Sequence, residues 1–298
     1  MCLLRLSLLH AAFSGDLTMH QHFILEARNV SYTYPDGTTA LSAVSAGIRQ
    51  GEKIAVLGAN GAGKTTLFLH FNGIFKPSRG TVLFNDTPLM YDRRSLRELR
   101  STVQIVFQES DTQLFSARVY QDISFGALNL GLPQDEVQLR VEAALLTVDI
   151  EHLRDKATHS LSHGEKKRVA IAGALVMNPE VLIIDEPTAC VDPRHQQELL
   201  DFFDKLNGRG TTILLSTHDV ELAWQWADRI LVMHEGKVER EGDPLSVFSD
   251  ESLLQTTGLY KPIALEVFET MRLKLGLAPD AAPPRNKQTL LAMLNKKL

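Results

Sequence analysis

The glycine-rich stretch at residues 58–66 constrains the fold of this chain more than any other segment. It reads G-A-N-G-A-G-K-T-T, which matches the phosphate-binding pattern G-x-x-x-x-G-K-[ST]. The apolar run 53–57 before it predicts a buried strand, and the run 67–71 after it predicts a helix. A strand, a glycine loop and a helix in this order predict a nucleotide-binding α/β core.

Each residue type in this loop suits contact with a nucleotide. Glycines let successive backbone N–H groups turn inward, and the helix N-terminus that follows favours an anion. We expect Lys64 to contact the β- and γ-phosphates, Thr65 to ligate Mg²⁺, and Thr66 to lie near the α-phosphate. The nucleotide-binding residues predicted in this loop are Gly58, Asn60, Gly61, Ala62, Gly63, Lys64, Thr65 and Thr66.

Composition narrows the class of protein. The net charge of −5 argues against a general nucleic-acid-binding surface, so no nucleic acid is expected as a partner. Only two cysteines occur, Cys2 and Cys190, which excludes a disulfide framework and fits a reducing compartment. The absence of a run of 18 or more apolar residues predicts that no segment spans a membrane.

Residues 1–22 form a segment of different character. Their apolar stretch loosely resembles a signal peptide, but it is broken by His10, and only Arg5 supplies positive charge. We therefore expect a disordered or weakly helical extension, with Met19 as an alternative start.

Hydrophobic patterns predict the remaining elements. A small antiparallel sheet is predicted from segments 23–34, 40–48 and 81–86. Further buried strands are predicted at 103–107, 181–186, 211–218 and 229–233, and helices at 92–101, 119–130 and 134–148. The fold class is α/β, followed from residue 244 by short helices, of which the last segment, 287–298, is expected to be loosely attached.

Two carboxylates, Asp185 and Glu186, follow the apolar run 181–184. Open α/β sheets bind ligands at the carboxyl ends of their strands, so both should point towards the phosphate loop. Asp185 is a candidate Mg²⁺ ligand, directly or through water, and Glu186 is a candidate base that orients or deprotonates a water at the γ-phosphate. The pair predicts ATP or GTP hydrolysis.

The segment L-S-H-G-E-K-K-R at residues 161–168 precedes an apolar helix. Ser162 and Glu165 have the spacing of a helix capping box. The segment also resembles L-S-G-G-Q, the signature motif of ATP-binding cassette (ABC) ATPases, and this resemblance extends over residues 23–242. It implies a P-loop NTPase (RecA-like) core with an antiparallel β subdomain, an α-helical subdomain at about 105–175 and a C-terminal helical appendage at 243–298.

The resemblance implies roles for residues that are uninformative alone. Tyr34 matches the aromatic residue that stacks on adenine, with Tyr32 the weaker candidate. Gln108 matches the Q-loop residue that touches Mg²⁺ and relays its occupancy to a partner, and His218 matches the switch histidine that contacts the γ-phosphate.

The signature implies a second copy of the chain. Ser162 and Gly164 are expected to complete the ATP site of a facing copy, and Asp192 lies in the matching D-loop at 188–192. A homodimer with ATP and Mg²⁺ is therefore expected. The chain departs from the family pattern at His163, Glu165 and Cys190, and these departures bear on the rate of ATP hydrolysis.

Four segments are similar to energy-coupling-factor (ECF) importer ATPases, most closely the cobalt/nickel branch. They are 106–115, 125–132, 165–168 and 226–229, although Ser110 and Thr112 depart from that branch. The similarity implies a peripheral subunit at the cytoplasmic face of the membrane, under an embedded scaffold subunit that docks near the Q-loop. A separate membrane subunit would bind the substrate, cobalt or nickel ions or, alternatively, a vitamin.

Two alternatives to a transport motor remain. A soluble ABC protein of DNA repair would carry a long coiled-coil insertion, whereas 97 positions (161 − 64) separate Lys64 from Leu161; a translation factor would carry two cassettes. A nucleotide-dependent interaction module with little turnover would not need Glu186. Leu114 and Phe115 are either partly exposed anchors for a membrane partner or ordinary core residues.

Overall fold

The computed structural model describes residues 22–188, 193–272, 274 and 281–295, so the expectation for residues 1–21 lies outside the described residues. Elements are numbered in chain order. The strands are β1 Phe23–Thr33, β2 Thr39–Arg49, β3 Lys53–Leu57, β4 Arg79–Phe84, β5 Thr87–Pro88, β6 Val103–Val106, β7 Val181–Ile184, β8 Thr212–Thr217, β9 Arg229–His234 and β10 Lys237–Gly242. The helices are α1 Lys64–Phe71, α2 Arg93–Thr102, α3 Ser110–Gln113, α4 Val119–Asn129, α5 Gln134–Thr147, α6 His163–Leu175, α7 Pro193–Asn207, α8 Val220–Trp226, α9 Pro244–Phe248, α10 Glu251–Thr257, α11 Ile263–Arg272 and α12 Lys287–Asn295.

The predicted antiparallel sheet is present, with strand order β2-β1-β4-β5. Its alternating apolar residues bury one face against the central sheet, as Leu41 and Ile48 show at 0% exposure. The predicted strand 81–86 is wrong at its end: Asn85 and Asp86 have φ values of 49° and 59° and form the turn between β4 and β5. Asn and Asp tolerate this left-handed conformation better than other side chains do.

The central sheet has the order β10-β9-β3-β8-β7-β6. All neighbouring pairs are parallel except β10 with β9. Every residue of β7 and β8 is buried, as expected for strands covered on both faces. The carboxyl ends of β3, β8, β7 and β6 therefore meet at one edge of the sheet.

Helices α3 to α6 occur in the sequence between β6 and β7, and they form a layer beside the central sheet. Buried residues on three of them, Val119, Val141 and Val169, join the same hydrophobic core as the sheet. Ile105 and Val106, inside the predicted limits of the helical subdomain, belong to β6. Helix α6 carries the signature segment at its N-terminus.

The C-terminal helices pack on the core, and the expectation of a loosely attached last segment is wrong for its described part, because Leu290 on α12 is 8% exposed and belongs to that core. Two further contacts lie just before that segment. The indole Nε1 of Trp224 donates to Pro284 O at 3.0 Å, and Arg285 donates to Ala227 O at 2.6 Å. The Arg285 guanidinium also lies over the Trp224 ring, 5.0 Å from its centroid. Local hydrophobic periodicity carries no information about contacts between residues 60 positions apart.

Across the described ranges, every helix is too short or too polar to cross a bilayer.

Candidate functional site

The site is built at the edge where the parallel strands end. The phosphate loop follows β3, and His218 follows its neighbour β8. Asp185 and Glu186 follow β7, and Gln108 lies two residues beyond β6. The backbone N–H of Asp185 donates to Val106 O at 2.9 Å, which holds the ends of β7 and β6 together. The fold thus brings side chains from residues 108 to 218, a span of 110 positions (218 − 108), to the phosphate loop.

Two glycines of the loop have no room for a side chain. Gly63, the residue before α1, has φ 101°, and a Cβ there would lie 2.7 Å from Ala40 O. A Cβ on Gly58 would lie 2.4 Å from Met233 O. The loop therefore depends on glycine for close approach of backbone as well as for left-handed φ.

Lys64 lies over the loop with its charge close to a carboxylate. Its Nζ donates to Gly58 O at 2.7 Å and to Ala59 O at 3.2 Å, and lies 3.4 Å from Oε1 of Glu186. This last contact is an ion pair that lacks hydrogen-bond geometry, so the buried Oε1 has no hydrogen-bond partner. The other oxygen, Oε2, lies 3.1 Å from Nδ1 of His218. Glu186 is therefore placed between a cation and an imidazole.

The backbone of Glu186 is held in an uncommon conformation. Its φ of 45° is left-handed, which costs a non-glycine residue about 1–3 kcal/mol. Its N–H donates to Ser216 Oγ at 2.9 Å, and the Ser216 hydroxyl donates to Asp185. Ser216 thus holds the carboxylate of Asp185 and the backbone of Glu186. The sequence analysis missed it, although the polar triplet that ends β8 was a signal.

Thr65 and Asp185 form an oxygen pair suited to Mg²⁺. The Thr65 hydroxyl donates to Oδ2 of Asp185 at 2.6 Å. Mg²⁺ prefers hard oxygen ligands and usually takes only one or two protein groups beside the phosphates. Within the described residues there is no cluster of three or more His, Cys, Asp or Glu that would hold a metal alone. The donor set therefore fits an ion shared with nucleotide phosphates.

The backbone at Gln108 is anchored from two sides, while its side chain is exposed. The buried ammonium of Lys167, on α6, donates to Phe107 O at 3.0 Å and to Gln108 O at 3.4 Å. Burial lowers the pKa of Lys167 to about 8. On the other side, Oε1 of Gln113 accepts from the Phe107 N–H at 3.0 Å. Sequence reasoning identified neither anchor, because both depend on tertiary packing.

Aromatic rings lie beside the phosphate loop. Tyr34 Oη lies 3.0 Å from Thr66 Oγ1, so the tyrosine is tied to α1. Tyr32 is stacked on Phe75, with ring centroids 4.8 Å apart and planes 11° apart. Tyr34 meets these two rings only edge to face, at 84° and 85°. Among the described rings, Tyr34 therefore has no parallel stacking partner.

The signature segment lies at the surface. The predicted capping box is confirmed: Ser162 Oγ accepts from the Glu165 N–H at 3.3 Å, and Glu165 Oε2 accepts from the Ser162 N–H at 2.7 Å. This backbone hydrogen bond, with help from Lys156 at 3.1 Å, lowers the pKa of Glu165 to about 2. Ser162, His163 and Gly164 are exposed. Asp192, with residues 189–191, lies outside the described residues.

A groove of about 760 Å³ opens beside the Q-loop, between α2, α4 and α6. Phe115 on its wall is 63% exposed and meets the 46% exposed Phe125 edge to face at 4.6 Å. Leu114 is half-buried against the core. The core alternative is thus wrong for Phe115 and holds in part for Leu114.

Comparison with known proteins agrees with this geometry. The ABC transporter family matches residues 41–189, half of the chain. The chain is 46% identical over 261 residues to the ECF transporter ATP-binding protein EcfA3 of Clostridium perfringens, covering 87% of this chain and 92% of the relative. It is also 46% identical over 252 residues to EcfA of Methanocaldococcus jannaschii, covering 85% and 90%.

Solved structures give the same result. The structure of cbiO1 from Clostridium perfringens, described as part of the ABC transporter complex cbiONQ, superposes with a TM-score of 0.72 at 46% identity, covering 86% of this chain and 96% of that one. The dimeric bacterial cassette MJ0796 superposes with a TM-score of 0.68 at 26% identity, covering 74% and 98%. The chain therefore belongs to the ABC transporter ATPases and has their cassette fold. Within that family it is an ECF-type ATP-binding subunit, and its enzymatic activity is ATP hydrolysis.

Proposed function

We propose that this chain hydrolyses ATP at the shared edge of β3, β8, β7 and β6 and so drives import through separate membrane subunits. The observation that carries the proposal is the position of the Glu186 carboxylate, 3.4 Å from Nζ of Lys64 and 3.1 Å from Nδ1 of His218. A cation for the phosphates, a carboxylate for the attacking water and an imidazole for the γ-phosphate are the groups this hydrolysis needs.

The residues have separate roles in this reaction. The loop N–H groups and Lys64 hold the phosphates, Thr66 lies beside the α-phosphate, and Tyr34 stacks on adenine. Glu186 Oε1 accepts a proton as the water oxygen bonds to the γ-phosphorus and the bond to the β–γ bridging oxygen breaks. ADP and phosphate are the products, and His218 donates to the γ-phosphoryl oxygens. Thr65, Asp185 and the side chain of Gln108 would hold Mg²⁺, which would supply neutralisation of phosphate charge when bound.

The active form is a homodimer with two composite sites. Ser162 and Gly164 are exposed at the start of α6, where they are available to the nucleotide of a facing copy. Asp192 contributes from the D-loop. The dimeric form of the related cassette MJ0796 supports this arrangement.

The groove beside the Q-loop receives a membrane-embedded scaffold subunit, which places the chain at the cytoplasmic face of the membrane. Phe115 and Phe125 provide the exposed apolar surface that such a partner would cover. Gln113, which lines this groove, accepts from the N–H of Phe107, next to Gln108. Lys167 donates to Gln108 O from α6, the helix whose residues Ala170 and Ala174 line the groove. The conformational change that closes the ATP-bound dimer would therefore be transmitted to the membrane partner through few intervening residues.

The proposed substrate is the cobalt or nickel ion, taken up by a separate substrate-binding subunit. Support comes from the similarity of residues 109–132 to the cobalt/nickel branch and from the likeness to cbiO1. The test is uptake by cells that lack this gene, with cobalt, nickel, riboflavin and biotin measured in parallel. Loss of metal uptake alone supports the proposal. Normal metal uptake with loss of a vitamin would overturn the metal assignment and support vitamin import instead.

A further inference from the structure

One buried histidine beside the phosphate loop has no role in the hydrolysis described above. His70 lies on α1 and is 0% exposed. Its Nδ1 lies 2.7 Å from Thr66 O, and its Nε2 has no hydrogen-bond partner. A carbonyl oxygen only accepts, so Nδ1 carries the hydrogen and Nε2 carries the lone pair. Burial lowers the pKa of His70, which agrees with a neutral ring.

The ring of His70 supports the aromatic pair that adjoins Tyr34. It meets Tyr32 edge to face at 4.9 Å and Phe75 at 5.9 Å. Tyr34 meets the same two rings, at 5.2 Å and 5.9 Å. His70 and Tyr34 are therefore connected through one stacked pair, in the edge-to-face geometry that aromatic rings prefer.

Thr66 contacts both His70 and Tyr34. Its carbonyl accepts from His70, and its hydroxyl lies 3.0 Å from Tyr34 Oη. The plane of Tyr34 is thus determined at the hydroxyl end by Thr66 and along the ring by Tyr32 and Phe75. His70 contacts three of these four residues and leaves one buried nitrogen unsatisfied, a cost that a purely apolar ring would avoid.

We propose that His70 is a positioning residue for the nucleobase: it fixes the Tyr32–Phe75 pair, which holds the Tyr34 ring in the plane on which adenine stacks. The inference rests on the proposed role of Tyr34. His70 itself touches neither the base nor the phosphates. Its contribution is to nucleotide affinity through the base, so phosphate binding by the loop should not depend on it.

The test compares the affinity of the full chain for ATP and for inorganic tripolyphosphate, which lacks the base. His70→Asn keeps a donor near Thr66 O but removes the ring, whereas His70→Phe keeps a ring but removes the donor. We expect His70→Asn to weaken ATP binding about fivefold and tripolyphosphate binding less than twofold, with His70→Phe close to the parent. Equal weakening for both ligands, or unchanged ATP binding, would overturn the proposal.

Further variants make the outcome unambiguous. Tyr34→Leu measures the whole contribution of the base: if it leaves the ATP to tripolyphosphate ratio unchanged, the proposed role of Tyr34 fails, independently of His70. If Tyr34→Leu lowers the ratio, His70→Asn should add no further loss in the double variant, because both act on one contact. Additive losses would refute the connection. Should His70→Asn fail to fold, His70→Met, similar in size and without a ring, replaces it.

Discussion

The ammonium nitrogen of Lys64 lies 3.4 Å from Oε1 of Glu186, and each side chain is only 7% exposed. A buried carboxylate oxygen with a cation close by but no hydrogen bond retains its capacity to accept a proton. In the proposed site, the phosphates of ATP would compete with the Glu186 carboxylate for the charge of Lys64. Removing the carboxylate charge should therefore affect binding and hydrolysis in opposite directions.

Glu186→Gln should bind ATP at least as tightly as the parent and hydrolyse it about 10²–10⁴ times more slowly, because a positioned base is lost. The variant should accumulate as an ATP-bound dimer, visible by size-exclusion chromatography. The matched control is Glu180→Gln. Glu180 is exposed and immediately precedes β7, the strand that Glu186 follows, so this variant should hydrolyse ATP at the parent rate. Turnover of Glu186→Gln within about threefold of the parent would contradict the role of this residue.

Mixing two inactive variants tests the composite site. Lys64→Ala damages the phosphate loop and Ser162→Arg damages the signature, so a mixed dimer keeps one intact site only if each site uses both chains. Random pairing makes about half of the dimers mixed, and the activity recovered should be about a quarter of the parent's. ATPase assays before and after mixing measure this. No recovery after verified chain exchange would show that each chain works alone.

Phe115→Glu should abolish membrane association of the complex and leave the isolated chain folded and able to bind ATP. The side chain is 63% exposed in the groove, so a charge there costs little in the free chain and much under an apolar partner. Membrane fractionation and ATP binding are the two measurements. Leu139→Glu is the control, since Leu139 is 68% exposed on α5 and outside the groove. If both variants lose membrane association, the effect is not specific to the groove, and the groove is not supported as the docking site of the membrane partner.

The capping box of α6 predicts a dependence on pH. The pKa of Glu165 falls from 4.5 to about 2 on folding, so its ionised form stabilises the folded state above about pH 4.5. That contribution is lost as the pH falls towards 2. The parent should therefore resist urea better than Glu165→Gln at pH 7, with the difference shrinking below about pH 4.5. Glu239→Gln, at an exposed strand position, should show a smaller pH dependence.

The local parts of this fold could be predicted from sequence, and the contacts across it could not. Apolar runs and terminal polar residues predicted the strands that carry Asp185 and His218, and the Ser162–Glu165 spacing predicted the cap. The contact of Ser216 with Asp185 requires β8 to lie beside β7, and local pattern does not specify strand order. Lys167 presents the same difficulty, because lysine is rarely buried and only tertiary packing places it against the backbone of Phe107 and Gln108.

The attachment of residues 284–285 to Trp224 has a practical consequence for anyone who expresses part of this chain. Trp224 is 1% exposed and meets Phe248 edge to face, so part of its cover comes from residues beyond β10. A fragment ending at Gly242 would leave an indole and its apolar surroundings open to water. Such a fragment should self-associate and precipitate, however complete its nucleotide-binding motifs are.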